Sequence, residues 1–199
     1  MALPPPSPAA PLILASGSRY RAGLLRRLQV PFVQESPGSD EAAHPGEAPA
    51  ALAQRLALLK AGAVAARHPG RWVLGSDQVC ACGDALLGKP GSRAGAVRQL
   101  AALGGRAAQF YTAVALLRDG APPLTALDLT TVRFRRLGAE EIERYVDAEP
   151  AYDCAGSFMS EGLGISLCEA VASEDPTALV GLPLIAVRRL LAQAGYAIP

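Results

Sequence analysis

Apolar and polar positions divide the chain into short hydrophobic runs and longer segments of helical period. Residues 11–15 (PLILA) are wholly apolar, the mark of a buried strand, and Leu24, Leu25 and Leu28 then recur at helical spacing. The small residues Ser16-Gly17-Ser18 between them predict strand, tight turn, helix. Residues 31–35 read as a second short strand, followed by a turn-rich stretch through Glu41. Over residues 48–67, Leu52, Leu56, Leu59 and Val64 predict a long helix carrying Lys60, stopped by His68-Pro69-Gly70. Val73 and Leu74 then open a central strand with Asp77 near its carboxyl end. Residues 92–103 predict an amphipathic helix, closed by Gly104-Gly105. Residues 110–117 and 127–134 predict an antiparallel hairpin that turns through Asp119-Gly120 and Pro122-Pro123. A short helix over 139–146 and a strand over 165–171 follow. The chain closes with a helix starting near Pro183.

Composition narrows the class. Half of the 199 residues are apolar, 19% are charged, and the formal net charge is +1. This is a soluble globular profile, and the length suits one domain over residues 11–199. The arginines are dispersed, so charge gives no footprint for nucleic acid or an anionic membrane, and no apolar run reaches the ~20 residues needed to span a bilayer. Residues 1–10, broken by prolines and lacking a basic start, read as a disordered lead-in to a cytoplasmic protein. The four cysteines are too sparse for a disulfide scaffold. Cys80 and Cys82 lack the further ligands of a zinc site, because His44 and His68 lie in loop-like contexts; all four read as structural.

Candidate chemistry centres on residues 72–90. Asp77 is an isolated carboxylate in a strand that otherwise reads as buried, where an ionised group needs hydrogen bonds, a cation or a metal. The chain has seventeen arginines, two lysines and no asparagine. Lys60 and Lys89 therefore stand out where arginine has replaced lysine elsewhere, because a site fitted around one phosphate oxygen does not accept the wider guanidinium. The turn at Ser16-Gly17-Ser18 points backbone N–H groups past a strand end, a ready anion site, with Arg19 and Arg21 in the first helical turn. Ser18 is equally an ordinary helix cap with solvent-facing arginines. Asp40 and Glu41 are either solvated loop charges or oxygen ligands for a metal. Residues 83–89 fit G-x-x-x-x-G-K, but Pro90 occupies the hydroxyl position of a P-loop and disfavours helix at Lys89, so a Walker nucleotidase is rejected. The glycines at 156, 162 and 164 mark tight turns or close approach to a ligand.

Taken together the chain resembles the Maf family of nucleotide pyrophosphatases. The resemblance rests on residues 12–25 (LILASGSRYRAGLL), 39–41 (SDE), Lys60, 75–80 (GSDQVC), 88–90 (GKP), 110–116 (FYTAVAL), 154–164 (CAGSFMSEGLG) and 180–184 (VGLPL), in order along nearly the whole chain after Pro11. It implies an α/β fold with an elongated mixed sheet flanked by helices, two lobes with an active-site cleft between them, and frequent homodimers. It also implies water attack at the α-phosphorus of a nucleoside triphosphate, with Asp77 as general base and Ser16, Arg21, Lys60 and Lys89 on the phosphates. A divalent cation, magnesium or manganese, would have Glu41 as a ligand. Gln78 and Glu161 resemble the branch that hydrolyses 7-methyl-GTP. A carboxylate at 161 suits the N1–H and N2–H₂ edge of the methylated base, and Tyr20, another specificity position, suits stacking on its positive charge. The alternatives are a dTTP/UTP or broader-range pyrophosphatase and a noncatalytic nucleotide-binding regulator. Arg19, where the family usually has proline, and Leu59, where it often has glutamate, depart from the pattern.

Overall fold

The computed structural model describes residues 10–199; the expected lead-in lies almost wholly outside the described residues. The elements run β1 (Leu12–Ala15), α1 (Arg19–Arg26), β2 (Phe32–Glu35), α2 (Pro49–Ala65), β3 (Val73–Cys82), β4 (Ala85–Leu87) and α3 (Arg93–Leu103). They continue as β5 (Ala107–Leu117), β6 (Leu124–Phe134), α4 (Ala139–Ala148), β7 (Cys168–Ala172) and α5 (Leu184–Gln193). The seven strands form one sheet in the order β2-β1-β3-β5-β6-β7, with β4 paired to β3. β1 lies parallel to both β2 and β3, while β3–β4 and β6–β7 are antiparallel. The sheet is therefore mixed, and with five helices the fold is α/β as expected.

The chain divides into two compact units. The first holds residues up to Asp77, Thr112–Asp128 and Asp175–Pro199; the second holds Gln78–Tyr111 and Leu129–Glu174. In the first unit the alternating apolar positions of β1 and β3 meet those of the helices: Leu12, Leu14, Leu25, Leu74, Leu116, Leu182, Val187 and Leu191 form a continuous buried core. In the second, Phe158 packs edge-on against Phe110 and Phe134, with ring centroids 5.7 and 5.1 Å apart. Such edge-to-face pairs favour the ring quadrupoles beyond simple area burial.

Three local differences from the sequence expectation have physical reasons. β3 is longer than its apolar run suggested, so Asp77 lies at its middle; Cys80 and Cys82 extend the strand by pairing with Leu87 and Ala85 of β4. The turn between them uses Gly83 at φ +61°, a left-handed conformation that glycine adopts freely. This hairpin replaces the rejected phosphate loop. Finally, residues 163–167 form a 3₁₀ turn, and β7 begins only at Cys168.

α5 starts without a side-chain cap at Pro183. Its orphan amides are met instead from residues 175–177: Leu184 N–H donates to Thr177 Oγ1 at 2.8 Å and Ile185 N–H to Asp175 Oδ2 at 2.6 Å. These bonds fix the loop that carries Gly181.

Candidate active site

α2 buries Leu52, Ala53, Leu56, Ala57, Lys60, Ala61 and Val64, a face of helical period in which Lys60 is the only charged member. Small residues let that face approach β3 closely. A Cβ built on Gly75 would lie 2.4 Å from the Ala57 carbonyl and 2.7 Å from the Ala61 nitrogen. Two residues further on, on the same side of the strand, stands Asp77. Lys60 Nζ donates to Asp77 Oδ1 at 2.6 Å and to Glu41 Oε2 at 2.7 Å, and Lys60 and Asp77 are only 5% and 6% exposed. One buried ammonium thus joins two carboxylates, and the third of its donors is left over. Among the described residues Asp77 Oδ2 accepts no hydrogen bond.

The turn after β1 supplies the cationic side of this cluster. Ser18 caps α1 by accepting the Arg21 N–H at 3.4 Å, and Ser16 Oγ accepts the Ser18 N–H at 3.1 Å. Arg21 does not point to solvent. Its Nε donates to the Gly181 carbonyl at 2.9 Å and its Nη1 to Ser16 Oγ at 3.4 Å, while Ser76 Oγ donates to the same Gly181 carbonyl at 3.1 Å. The cap and the inward arginine, alternatives in the sequence, coexist here. Gln34 of β2 braces the turn by donating to the carbonyls of Ser16 and Ser18 at 2.7 and 3.1 Å.

Electrostatics follow from this packing. Burial raises the Asp77 carboxyl above its ordinary value; Lys60, by charge and hydrogen bond, and Arg21 oppose the rise, and Glu41 adds to it. Burial lowers the Arg21 guanidinium, opposed by the charges of Asp77 and Glu41. A carboxylate raised by desolvation yet ringed by cations is suited to take a proton. Among the described residues no three His, Cys, Asp or Glu side chains cluster as a dedicated metal cage. Two carboxylates at one point suit an oxygen-seeking cation that completes its shell with water and substrate phosphates, the usual habit of magnesium. Glu41, whose side chain is half exposed, is the carboxylate of the two that such an ion could reach.

Ser16, Arg21, Glu41, Lys60 and Asp77 are thus brought together in the first unit. Tyr20 is there too, on α1, and Arg19 lies over its ring at 4.8 Å while donating to its hydroxyl at 2.8 Å. Arg19 stands at the first position of α1, where proline is also at home. Lys89, Gln78 and Glu161 belong to the second unit. Lys89 is exposed between β4 and α3, and Glu161 is exposed with the Ser160 hydroxyl donating to it at 3.4 Å. Among the described residues the cysteines form no disulfide, and burial pushes the Cys80 thiol up to about 12, which favours its protonated form. Ser76, Gln34 and Gly181 carried no expected role. Their contribution depends on strand register and a distant carbonyl, which local pattern does not encode.

The Maf-like protein family model matches residues 11–194. The chain belongs to the Maf family. Among its Maf relatives, a protein of Xanthomonas oryzae pv. oryzae named 7-methyl-GTP pyrophosphatase is 60% identical over 188 residues, 94% of this chain and 98% of that one. A protein of Bordetella pertussis with the same name is 52% identical over 190 residues, 94% of this chain and 95% of that one. The fold of this Maf chain is also similar to the Ham1 protein of Staphylococcus aureus, with a TM-score of 0.52 at 13% identity, over 89% of this chain and 97% of that one.

Proposed function

We propose that this protein hydrolyses 7-methyl-GTP to 7-methyl-GMP and pyrophosphate. The observation that carries the reading is the ionic chain that runs from the buried pair Asp77–Lys60 to the half-exposed Glu41, set beside Arg21 and Ser16. Its members supply a base, an anion clamp and a cation holder in one place. The names of the close relatives support the substrate.

In this mechanism Asp77 Oδ2 takes the proton of a water that attacks the α-phosphorus. Lys60, with one donor free, holds Asp77 in line and meets a phosphate oxygen; Arg21 and the Ser16 hydroxyl stabilise charge that develops on the phosphates, and Lys89 neutralises the leaving pyrophosphate. Glu41 would hold a divalent magnesium or manganese ion, which would offset triphosphate charge. Tyr20, Gln78 and Glu161 read the base: Glu161 accepts from the N1–H and N2–H₂ edge, and Tyr20 presents its ring to the cationic purine. A cytoplasmic homodimer is part of the same reading. Among the described residues no helix is long and apolar enough to cross a membrane, and cysteines without disulfides suit a reducing compartment.

The test is pyrophosphate release from 7-methyl-GTP, GTP, dTTP and UTP in parallel, with magnesium and with chelator. Metal-dependent turnover with the highest kcat/KM on 7-methyl-GTP is expected. Faster cleavage of dTTP or UTP would assign the chain to the pyrimidine reading, and no turnover on any of them would make it a nucleotide-binding regulator.

A further inference from the structure

Residues 159–164 carry Glu161 near their middle, and the end of α4 grips this segment at both ends. Tyr145 and Glu149 stand four residues apart at the end of that helix, a spacing that stacks side chains on one face. The Tyr145 hydroxyl accepts the Met159 N–H at 3.1 Å and donates to Glu149 Oε2 at 2.9 Å. Glu149 then accepts the Leu163 N–H on Oε1 at 3.0 Å and the Gly164 N–H on Oε2 at 3.1 Å. Bonds from backbone amides to a carboxylate are charge-assisted and stronger than neutral ones.

The sequence of the segment is fitted to this grip. A Cβ at position 162 would lie 2.0 Å from Glu149 Oε1, and one at 164 would lie 2.5 Å from the Met159 carbonyl and 3.0 Å from the Tyr145 hydroxyl. Glycine at both positions is thus the condition for closing the segment on the carboxylate. Tyr145 is 3% exposed, and burial raises its phenol well above the usual value, so it stays protonated and keeps donating to Glu149. Glu161 itself projects from the held backbone into solvent.

We propose that Glu149, oriented by Tyr145, is a positioning residue for base recognition: it fixes the backbone that presents Glu161 to the purine edge. The proposal rests on the reading of Glu161 given above. Without the grip, each substrate encounter would have to order the segment, and that cost falls on binding.

The experiment uses the full chain with Glu149→Gln, which keeps the size but gives the amides one acceptor atom in place of two. Amide hydrogen exchange by NMR is expected to quicken at Leu163 and Gly164, and KM for 7-methyl-GTP to rise about tenfold with kcat within about twofold. In a Glu161→Ala background the same substitution is expected to leave KM unchanged, because its effect travels through Glu161. Unchanged exchange at Leu163 and Gly164 would overturn the grip itself. Quickened exchange with the full KM rise persisting in the Glu161→Ala background would overturn the positioning role. If Glu161→Ala alone leaves KM untouched, the recognition reading fails and the positioning role with it, and the exchange data still report separately whether the grip exists. Should Glu149→Gln not fold, Tyr145→Phe removes only the hydroxyl and takes the same measurements, with exchange followed at Met159.

Discussion

At the scale of single residues the account turns on Asp77. Its carboxyl is raised by burial and held in place by Lys60, so its base form is lost at a pH above the ordinary carboxylate range of about 4. Hydrolysis should therefore fall as pH falls through that raised value. The sign for stability is the opposite of the usual salt-bridged carboxylate: with the folded value the higher one, protonated Asp77 favours the fold below the unfolded carboxylate range, and this contribution is lost as pH rises through the folded value. Asp77→Asn keeps an oxygen for Lys60 and is expected to fold, while kcat drops about 10²- to 10⁴-fold and the acidic limb of the pH profile disappears. A pH–rate series on both proteins checks this; an unchanged limb in the variant would move the base to another group. Much of this was legible in the chain. An isolated acid in an apolar strand and two lysines among seventeen arginines both singled out the residues that meet in the structure, at least for Lys60. Lys60 also sits on the buried face of α2, four residues from Leu56 and from Val64, which marks it as a cation directed inward. Glu41 was ambiguous because a turn-rich segment carries acids for many reasons, and no local pattern announces its bond to Lys60.

At the scale of elements, the approach of α2 to β3 sets the distance between Lys60 and Asp77. Gly75 is what permits that approach, since an added Cβ meets backbone atoms of α2 that cannot turn aside. Gly75→Ala is expected to destabilise the protein by about 2–3 kcal/mol, to lower Tm by roughly 5–10 °C, and to reduce turnover by spreading the Lys60–Asp77 pair. Thermal unfolding and steady-state rates on the variant test it, and an unaltered Tm would show that the contact is looser than described. Hydrophobic period found β1, α1, α2 and α3 within a few residues of their observed limits. It failed where pairing, not pattern, makes the strand: β4 is only Ala85–Leu87, half of a hairpin whose other half extends β3 past Asp77. The stretch before β7 failed for a different reason. Ile165 and Leu167 read as strand, but the bonds of Glu149 to Leu163 and Gly164 hold the chain in a turn there.

At the scale of the whole molecule, a mixed sheet flanked by helices was legible because eight segments matched one family in order, and family membership carries the fold with it. The division of candidate residues was not legible. The cluster of Ser16, Arg21, Glu41, Lys60 and Asp77 lies in one compact unit, and Gln78, Lys89 and Glu161 belong to the other, although Asp77 and Gln78 are neighbours in sequence. No local pattern announces where a strand passes from one unit to the next. The central claim is water attack at the α-phosphorus under control of Asp77, and hydrolysis of 7-methyl-GTP in oxygen-18 water tests it most directly. The account predicts that mass spectrometry finds the label in 7-methyl-GMP with unlabelled pyrophosphate, and that Asp77→Asn forms neither product at the wild-type rate. Label in the pyrophosphate, or wild-type turnover by Asp77→Asn, would contradict it.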